Sequence, residues 1–356
     1  MNRREFLVYS FAAGVLVALG ERPAYASWLK QCKEGRLPPG MIVIDGHAHP
    51  DQFYDLEDST PDLSSTLEKI KTLGMQASIF AALGDFSGGP VALDRVLEQV
   101  QYVNELENSK LVRIIRTPSD AYKFFSRKRI VPGAILSLEE ATSLGYTWEE
   151  VSMNLNQLHA SGVRLITIMH NMDNQFGETM RKPGKEGSGL SELGRQLVEH
   201  MIELGIVVDA AHAHYATLRD MADMARSQGV PLIDSHTSLL PGTEYNGSRL
   251  RTWEEMELIA ATGGIICTWP LQESRVNRLT IRDWARENYE IKKRLGSRHI
   301  ALGTDGGGQL PALVDGYESI LDLPKLIADM HAVGFKRKEI DDYMGNNFLR
   351  VLKHYL

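Results

Sequence analysis

The sequence predicts an α/β protein built as a (β/α)₈ barrel of the TIM type. After residue 40, eight short apolar runs rich in β-branched residues alternate with longer amphipathic stretches. The runs are nearly continuously hydrophobic, as is typical of parallel strands that are covered on both faces. The first run ends in His47-Ala48-His49, where a doubly wound open sheet usually has a glycine-rich phosphate turn. We therefore favour the closed barrel over the open sheet.

The predicted elements follow this alternation along the chain. The strands are Ile42–Asp45, Ala77–Ala82, Ala134–Leu138, Leu165–Met169, Ile206–Asp209, Leu232–Asp234, Gly264–Thr268 and Ile300–Gly303. The helices between them are Leu63–Leu73, Leu93–Leu106, Trp148–Ala160, Ser191–Leu204, Tyr215–Ser227, Trp253–Ala261 and Ile281–Leu295. Thr147 and Thr252 each precede a Trp-Glu-Glu sequence and predict capped helix starts. Residues 318–355 predict closing helices.

Length and composition limit the classes of protein. The chain of 356 residues suits one barrel with an N-terminal extension. Its net charge of -7 gives no basic face for nucleic acid. Cys32 and Cys267 are too few for a disulfide framework or a thiolate metal cluster. The apolar run around Cys267 favours a buried free thiol, and a disulfide between the two cysteines is the alternative. A homodimer is also possible from the sequence.

The first 26 residues predict an export signal, which leaves residues 27–356 as the barrel domain. Arg3-Arg4 precede the apolar stretch Phe6–Leu19, and Ala24-Tyr25-Ala26 offers a cleavage site before Ser27. The paired arginines indicate the twin-arginine type, with an ordinary secretory signal or an uncleaved anchor as alternatives. The stretch is shorter than the ~20 residues of a membrane span. We expect a periplasmic protein without a span in its mature chain.

Histidines and carboxylates collect at the predicted strand ends, where (β/α)₈ barrels carry their functional residues. The residues at these ends are His47, His49, Glu139, His170, His212, His236 and Asp305. The chain has 11 histidines, and at least five lie at these ends, whereas an even spread would place roughly one there. Neutral imidazole and carboxylate are good ligands for Zn²⁺ and similar divalent ions, so the pattern predicts a metal site.

This set of side chains suits hydrolysis by a metal-activated water. His47 and His49 are two apart on a strand and therefore face the same side, while Glu139 can bridge two ions about 3.5–4 Å apart. Such ions bring the pKa of bound water to about 7. Asp305 is expected to hold the proton of that water and pass it to the leaving amine. His170 is expected to stabilise the developing oxyanion.

Taken in chain order, these segments resemble the membrane (renal) dipeptidases, which are zinc peptidases of the wider amidohydrolase group. The matching segments are Ile44–His47, Leu136–Glu139, Gly162–Asn171, Gly189–His212, Asp234–His236, Gly303–Asp305 and Gly345–Arg350. The resemblance covers roughly residues 40–355. It implies a TIM barrel with two divalent metal ions, expected to be zinc, on His47, His49, Glu139, His212 and His236. It further implies catalysis by Asp305, substrate contact by His170, and a substrate-binding arginine after His236, for which Arg249 and Arg251 compete.

Two departures from that family bear on the expected function. The family usually has His-x-Asp at strand one and Glu-Gly at strand three, whereas this chain has His47-Ala48-His49 and Glu139-Glu140. We expect cleavage of the amide bond of a dipeptide or a related small amide. The His-x-His start leaves open an amidohydrolase acting on N-acyl amino acids, lactones or cyclic amides. A non-catalytic binding protein on a degenerate barrel is the third hypothesis, and the full ligand set argues against it.

Overall fold

The computed structural model describes residues 27–49, 64–86, 89–126, 131–240, 247–308 and 310–356. The predicted export signal at residues 1–26 lies outside the described residues. The described chain starts with a short helix at 27–33. None of the helices in the described ranges is both long enough and apolar enough to cross a bilayer.

Eight parallel strands form the barrel in chain order. They are β1 Ile44–Asp45, β2 Ala77–Leu83, β3 Gly133–Glu139, β4 Val163–Thr167, β5 Val207–Asp209, β6 Ile233–Thr237, β7 Ile265–Thr268 and β8 Ile300–Leu302. Each strand pairs in parallel with the next one. All eight predicted strands are therefore confirmed, as is the (β/α)₈ fold class.

Hydrogen bonds beyond the carboxyl ends of β8 and β1 bring the last strand next to the first. Gly46 donates its N–H to the Leu302 carbonyl at 2.9 Å, and the Asp305 N–H donates to the His47 carbonyl at 2.8 Å. The carboxylate of Asp45 also accepts hydrogen bonds from the backbone N–H and the hydroxyl of Thr304. These bonds place Asp305 directly beside the His-x-His segment at the mouth of the barrel.

The helices surround the barrel. They are α1 Ser64–Leu73, α2 Leu93–Asn108, α3 Pro118–Phe125, α4 Trp148–Ala160, α5 Glu192–Glu203, α6 Tyr215–Ser227, α7 Trp253–Ala261, α8 Ile281–Leu295, α9 Leu323–Ala332, α10 Arg337–Asp341 and α11 Asn347–Tyr355. A π-helical turn at Asp342–Asn346 joins the last two. The seven predicted helices and the closing helices are confirmed. Thr147 and Thr252 both form capping boxes, in which the threonine side chain accepts from the third helical N–H.

The short elements that were not predicted include a helix, a strand and a two-stranded ladder. Helix α3 starts at Pro118 after the N-cap Thr117, whose side chain accepts from the Asp120 N–H. A strand at Arg113–Ile114 pairs in parallel with β3. A small antiparallel ladder joins Asp85–Phe86 to Gly89–Pro90 just after β2. With two to eight residues each, these elements are too short to produce a hydrophobic period.

Apolar side chains fill the end of the barrel opposite the histidines. Ile79, Ile135, Leu165, Val207 and Ile265 belong to one buried cluster that also contains residues of α11 such as Phe348 and Leu352. A second cluster lies between the strands and the surrounding helices. Cys32 and Cys267 are both buried and free, which settles the open disulfide question in favour of two thiols. The histidines and carboxylates at the strand ends therefore lie at the other end of the barrel.

Candidate metal centre and active site

Four of the five predicted metal ligands converge on the fifth, the carboxylate of Glu139 at the end of β3. The Nε2 atoms of His47, His212 and His236 lie 3.5, 3.5 and 3.6 Å from Oε1 of Glu139. The Nε2 atom of His49 lies 3.2 Å from the other oxygen, Oε2. All five side chains are buried. Residues from four different strand ends therefore share one small polar volume.

The four imidazoles form two pairs around that carboxylate. The Nε2 atoms of His47 and His49 are 3.1 Å apart, and those of His212 and His236 are 2.7 Å apart. Oε1 of Glu139 is buried and accepts no hydrogen bond from the described residues. Buried polar atoms without hydrogen-bond partners are costly. Nitrogen and oxygen atoms facing one another at these distances fit divalent cations in both chemistry and spacing.

Hydrogen bonds on the far side of the rings orient the ligand nitrogens. The Ala81 carbonyl lies 3.2 Å from Nδ1 of His49, and a carbonyl only accepts, so Nδ1 carries the proton. Ser235 Oγ lies 3.2 Å from Nδ1 of His47 and 2.9 Å from Nδ1 of His236. The Ser235 backbone N–H donates to Oδ1 of Asp209 at 2.9 Å, and Oγ is placed to accept from both rings. In their neutral form, His47, His49 and His236 then direct the Nε2 lone pair inward, as metal ligands require.

Burial and neighbouring charges shift the pKa values of the cluster and determine which of its side chains carry a proton. Burial lowers the pKa of His212 to about 3 and holds that of His236 well below its usual value. Burial also lowers the pKa of His47, but Glu139 and Asp305 outweigh it and bring the pKa to about 9. Burial raises the pKa of Glu139, yet cationic His170 and His47 hold it well below its usual value. The metal-free cluster thus has an ionised Glu139 and a proton on His47, which a bound cation would replace.

Asp305 lies at the edge of the ligand cluster. Its Oδ1 atom is 3.6 Å from Nε2 of His49, and its side chain is buried. Burial raises the pKa of this carboxyl, and the neighbouring histidines lower it. Asp305, His212 and Glu140 have left-handed φ values of 51°, 64° and 76°. Non-glycine residues rarely adopt such values except where the surrounding structure imposes them, which is frequent at functional sites.

His170 extends the site outward from Glu139. Its Nε2 atom lies 4.0 Å from Oε2 of Glu139, and its Nδ1 atom lies 2.7 Å from Oδ1 of Asp85. Its backbone N–H donates to the buried carboxylate of Glu140 at 2.9 Å. Burial lowers the pKa of His170, but Glu139 and Asp85 raise it by more, so the net shift is upward. His170 is thus a partly buried imidazole that lies between Asp85 and the cluster.

The two candidate arginines have different surroundings. Arg249 donates from Nη2 to the Asn171 side-chain oxygen at 2.9 Å, next to His170. Arg251 is 0% exposed and makes ion pairs with Asp234 at 2.7 Å and Glu255 at 2.8 Å. Its remaining donors bond backbone carbonyls of the segment after β5. The donors of Arg251 are therefore consumed inside the protein, whereas Arg249 hydrogen-bonds next to His170, and substrate binding by an arginine after His236 stays a prediction.

Several site residues were not assigned from the sequence. Ser235 and Asp209 adjoin predicted ligands, and their polar character at buried strand ends was a usable signal. Glu140 directly follows Glu139. Asp85 lies in a two-residue strand and Arg181 in an irregular loop, neither of which has a hydrophobic period, and only the fold brings them to the site.

The fold resembles that of solved metallopeptidases. A metallopeptidase from Rhodobacter sphaeroides, solved with a phosphinate mimic of the dipeptide L-Ala-D-Ala, superposes with a TM-score of 0.74 at 20% identity and covers 89% of this chain and 99% of its own. The probable dipeptidase PvdM from Pseudomonas aeruginosa superposes with a TM-score of 0.73 at 16% identity, covering 93% of this chain and 98% of its own. At these identities the likeness concerns the fold.

Curated relatives extend the likeness to sequence. Dipeptidase verJ from Clonostachys rogersoniana is 25% identical over 264 residues, which is 73% of this chain and 65% of the relative. An uncharacterized dipeptidase from Schizosaccharomyces pombe is 32% identical over 206 residues, or 56% of this chain and 48% of the relative. The chain thus spans 65% and 48% of the length of these two relatives. The model of the membrane dipeptidase family (peptidase family M19) matches residues 33–355, and the chain belongs to that family.

Proposed function

We propose that this chain is a metal-dependent dipeptidase that hydrolyses the amide bond of short peptides with two zinc ions. The single observation that carries the proposal is the convergence of four buried imidazoles on Glu139. Family membership supports the same reaction class. His47 and His49 would hold one ion, His212 and His236 would hold the other, and Glu139 would join them.

The chain's own residues supply the proton transfers and the binding of substrate. Two divalent ions, when bound, polarise the scissile carbonyl and lower the pKa of water. Asp305 takes the proton of the attacking water and returns it to the leaving nitrogen, a role that suits a buried carboxyl with a raised pKa. His170, held by Asp85, donates from Nε2 to the oxygen on which negative charge develops. Arg249 binds the C-terminal carboxylate of the peptide.

A dipeptide panel tests the proposal directly. L-L and L-D dipeptides are assayed with zinc and with an excess of chelator, and hydrolysis is expected only with metal. Asp305→Asn is expected to lower kcat by about 10²–10⁴-fold. Asp315→Asn, on an exposed side chain ten residues further on, is the matched control and should leave kcat unchanged. Absence of metal-dependent turnover on every amide in the panel would overturn the proposal.

His49 supports a second candidate within the same chemistry. Because an imidazole stands beside Glu139 at 3.2 Å where an aspartate would add a negative charge, the pocket is suited to other acyl compounds as well. The panel therefore includes N-acyl amino acids, lactones and cyclic amides. A higher kcat/KM for one of these than for every dipeptide would assign the chain to that substrate class.

We also propose that the protein is exported to the periplasm by the twin-arginine route. The proposal rests on Arg3-Arg4 and the apolar stretch Phe6–Leu19. Replacing both arginines by lysine is expected to leave the full-length chain in the cytoplasm, whereas the unchanged chain appears in the periplasmic fraction without its first 26 residues. Export that is indifferent to the double substitution would contradict the twin-arginine route.

A further inference from the structure

Two arginines from different loops meet at one oxygen atom beside the active site. Arg181 donates from Nη2 to Oδ1 of Asn171 at 2.6 Å, and Arg249 donates from Nη2 to the same atom at 2.9 Å. The loops themselves are in direct contact, because a Cβ at Gly247 would lie 2.5 Å from the Arg181 carbonyl oxygen. The two guanidinium groups are therefore adjacent. The shared Asn171 oxygen fixes their side chains, and the contact between the loops fixes their backbones.

The pair carries positive charge that the described residues do not fully neutralise. In the ranges that the structure describes, no carboxylate lies within ion-pair distance of either guanidinium. Burial lowers the pKa of Arg181, the adjacent Arg249 lowers it further, and Asp85 acts in the opposite direction. Two neighbouring cations repel each other. Their arrangement is stabilised when an anion binds between them or alongside them.

Arg181 is the more exposed of the two arginines. The charge of Arg249 lowers the pKa of both His170 and His212, which places Arg249 next to the reacting centre. Arg181 contacts the same Asn171 oxygen and is exposed. A substrate that extends outward from His170 would meet Arg249 first and Arg181 next.

We propose that Arg181 and Arg249 form a two-arginine site that selects peptides whose C-terminal residue carries a second carboxylate. Arg249 binds the main-chain carboxylate, and Arg181 binds the side-chain carboxylate of a C-terminal aspartate or glutamate. This inference rests on the proposed dipeptidase function and narrows its substrate class. Guanidinium groups match carboxylates in shape and form charge-assisted hydrogen bonds with them.

Isosteric substrates measure the contribution of the second carboxylate. L-Ala-Glu and L-Ala-Gln, each with the C-terminal residue in the L and the D form, differ only by a carboxylate and an amide. For the unchanged protein, kcat/KM for the Glu substrate is expected to exceed that for the Gln substrate by about tenfold. Arg181→Gln should bring this ratio close to one, and Arg181→Glu should instead favour L-Ala-Lys.

Lys182→Gln is the matched control, because it removes the same charge one residue away from Arg181. The Lys182 side chain pairs with Glu178 at 2.6 Å. It should keep the tenfold Glu preference, and melting curves should show both variants folded. A Glu to Gln ratio near one in the unchanged protein, or an equal loss of preference in Arg181→Gln and Lys182→Gln, would overturn the inference.

Binding separates failure of this inference from failure of the proposed function. The affinities of Asp305→Asn for L-Ala-Glu and L-Ala-Gln are compared by calorimetry, with and without Arg181→Gln. If no dipeptide is hydrolysed, the dipeptidase proposal falls, but a Glu preference in binding that depends on Arg181 still upholds the two-arginine site. If neutral dipeptides are hydrolysed and binding shows no such preference, the dipeptidase proposal stands and the two-arginine site falls.

Discussion

Ser235 is the residue on which the orientation of two metal ligands depends. Its Oγ atom contacts Nδ1 of His47 and of His236, while its backbone N–H donates to Asp209. Ser235→Ala removes the acceptor that keeps both Nδ1 atoms protonated. We expect zinc affinity to fall about 10–100-fold, measured by competition with a chromophoric chelator.

Ser137→Ala provides the control for this experiment. Ser137 is also a buried serine on a barrel strand, and its Oγ has no hydrogen-bond partner among the described residues. Its replacement should leave zinc affinity unchanged. Equal affinities for Ser235→Ala and the unchanged protein would show that the two rings are oriented without this hydroxyl.

Glu140 combines backbone strain with a full set of hydrogen bonds. Its φ is 76°, and its carboxylate accepts from the Thr142 N–H and hydroxyl, the Asn174 amide and the His170 N–H. Glycine would relieve about 1 kcal/mol of strain but would lose four bonds worth about 1 kcal/mol each. We expect Glu140→Gly to lower the free energy of unfolding by about 3 kcal/mol and to lower kcat through the displacement of His170.

Lys110→Gly tests the strain contribution alone. Lys110 has a φ of 61° and is exposed. Its replacement should raise the free energy of unfolding by about 0.5–1 kcal/mol, measured by denaturant titration. If Glu140→Gly were stabilising as well, the hydrogen bonds of its carboxylate would contribute less than the strain costs.

At the scale of elements, Arg251 joins β6 to the start of α7 and to the segment after β5. It pairs with Asp234 on β6 and Glu255 on α7 and bonds the carbonyls of Ala210 and Ala213. Removing one partner of a buried ion pair leaves the other charge uncompensated. We expect Arg251→Leu to lower the free energy of unfolding by about 3–5 kcal/mol, measured by denaturant titration.

Arg249→Leu should show the opposite pattern. Arg249 is only partly buried and hydrogen-bonds a side chain at the site. Its removal is expected to raise KM by at least about tenfold, the cost of a charge-assisted hydrogen bond, with little change in unfolding. A large loss of stability in Arg249→Leu together with an unchanged KM would reverse the roles assigned to the two arginines.

The elements that could be predicted from the sequence are those with a hydrophobic pattern typical of a strand or a helix. β3 and β4 are buried along their whole length and are largely apolar, and α4 shows a cap followed by apolar residues at helical spacing. The strand Arg113–Ile114 has two residues and depends on pairing with β3. Such an element follows from the tertiary structure rather than from local preference, and no pattern in the chain indicates it.

At the scale of the whole molecule, the barrel explains which part of the site was predictable. Parallel strands bring their carboxyl ends to one face, so His47, Glu139 and His236 were expected to meet although they are far apart in the chain. Loop residues do not follow this rule. Asp85 reaches His170 because a two-residue ladder turns back after β2, and Arg181 reaches Asn171 through an irregular loop.

The same convergence makes the stability of the molecule depend on metal. Four buried imidazoles and Glu139 bring polar atoms together within the barrel mouth, so an ion that bonds them favours the folded chain. Saturation at about 1,000 times the dissociation constant adds about 4 kcal/mol, or about 5 °C or more in the melting temperature. Calorimetric scans with zinc and with chelator should show this difference. Glu139→Gln retains the shape of the side chain and loses its charge. This variant should melt at nearly the same temperature with zinc and with chelator. Identical melting of the unchanged protein with and without zinc would mean that the cluster does not bind this ion.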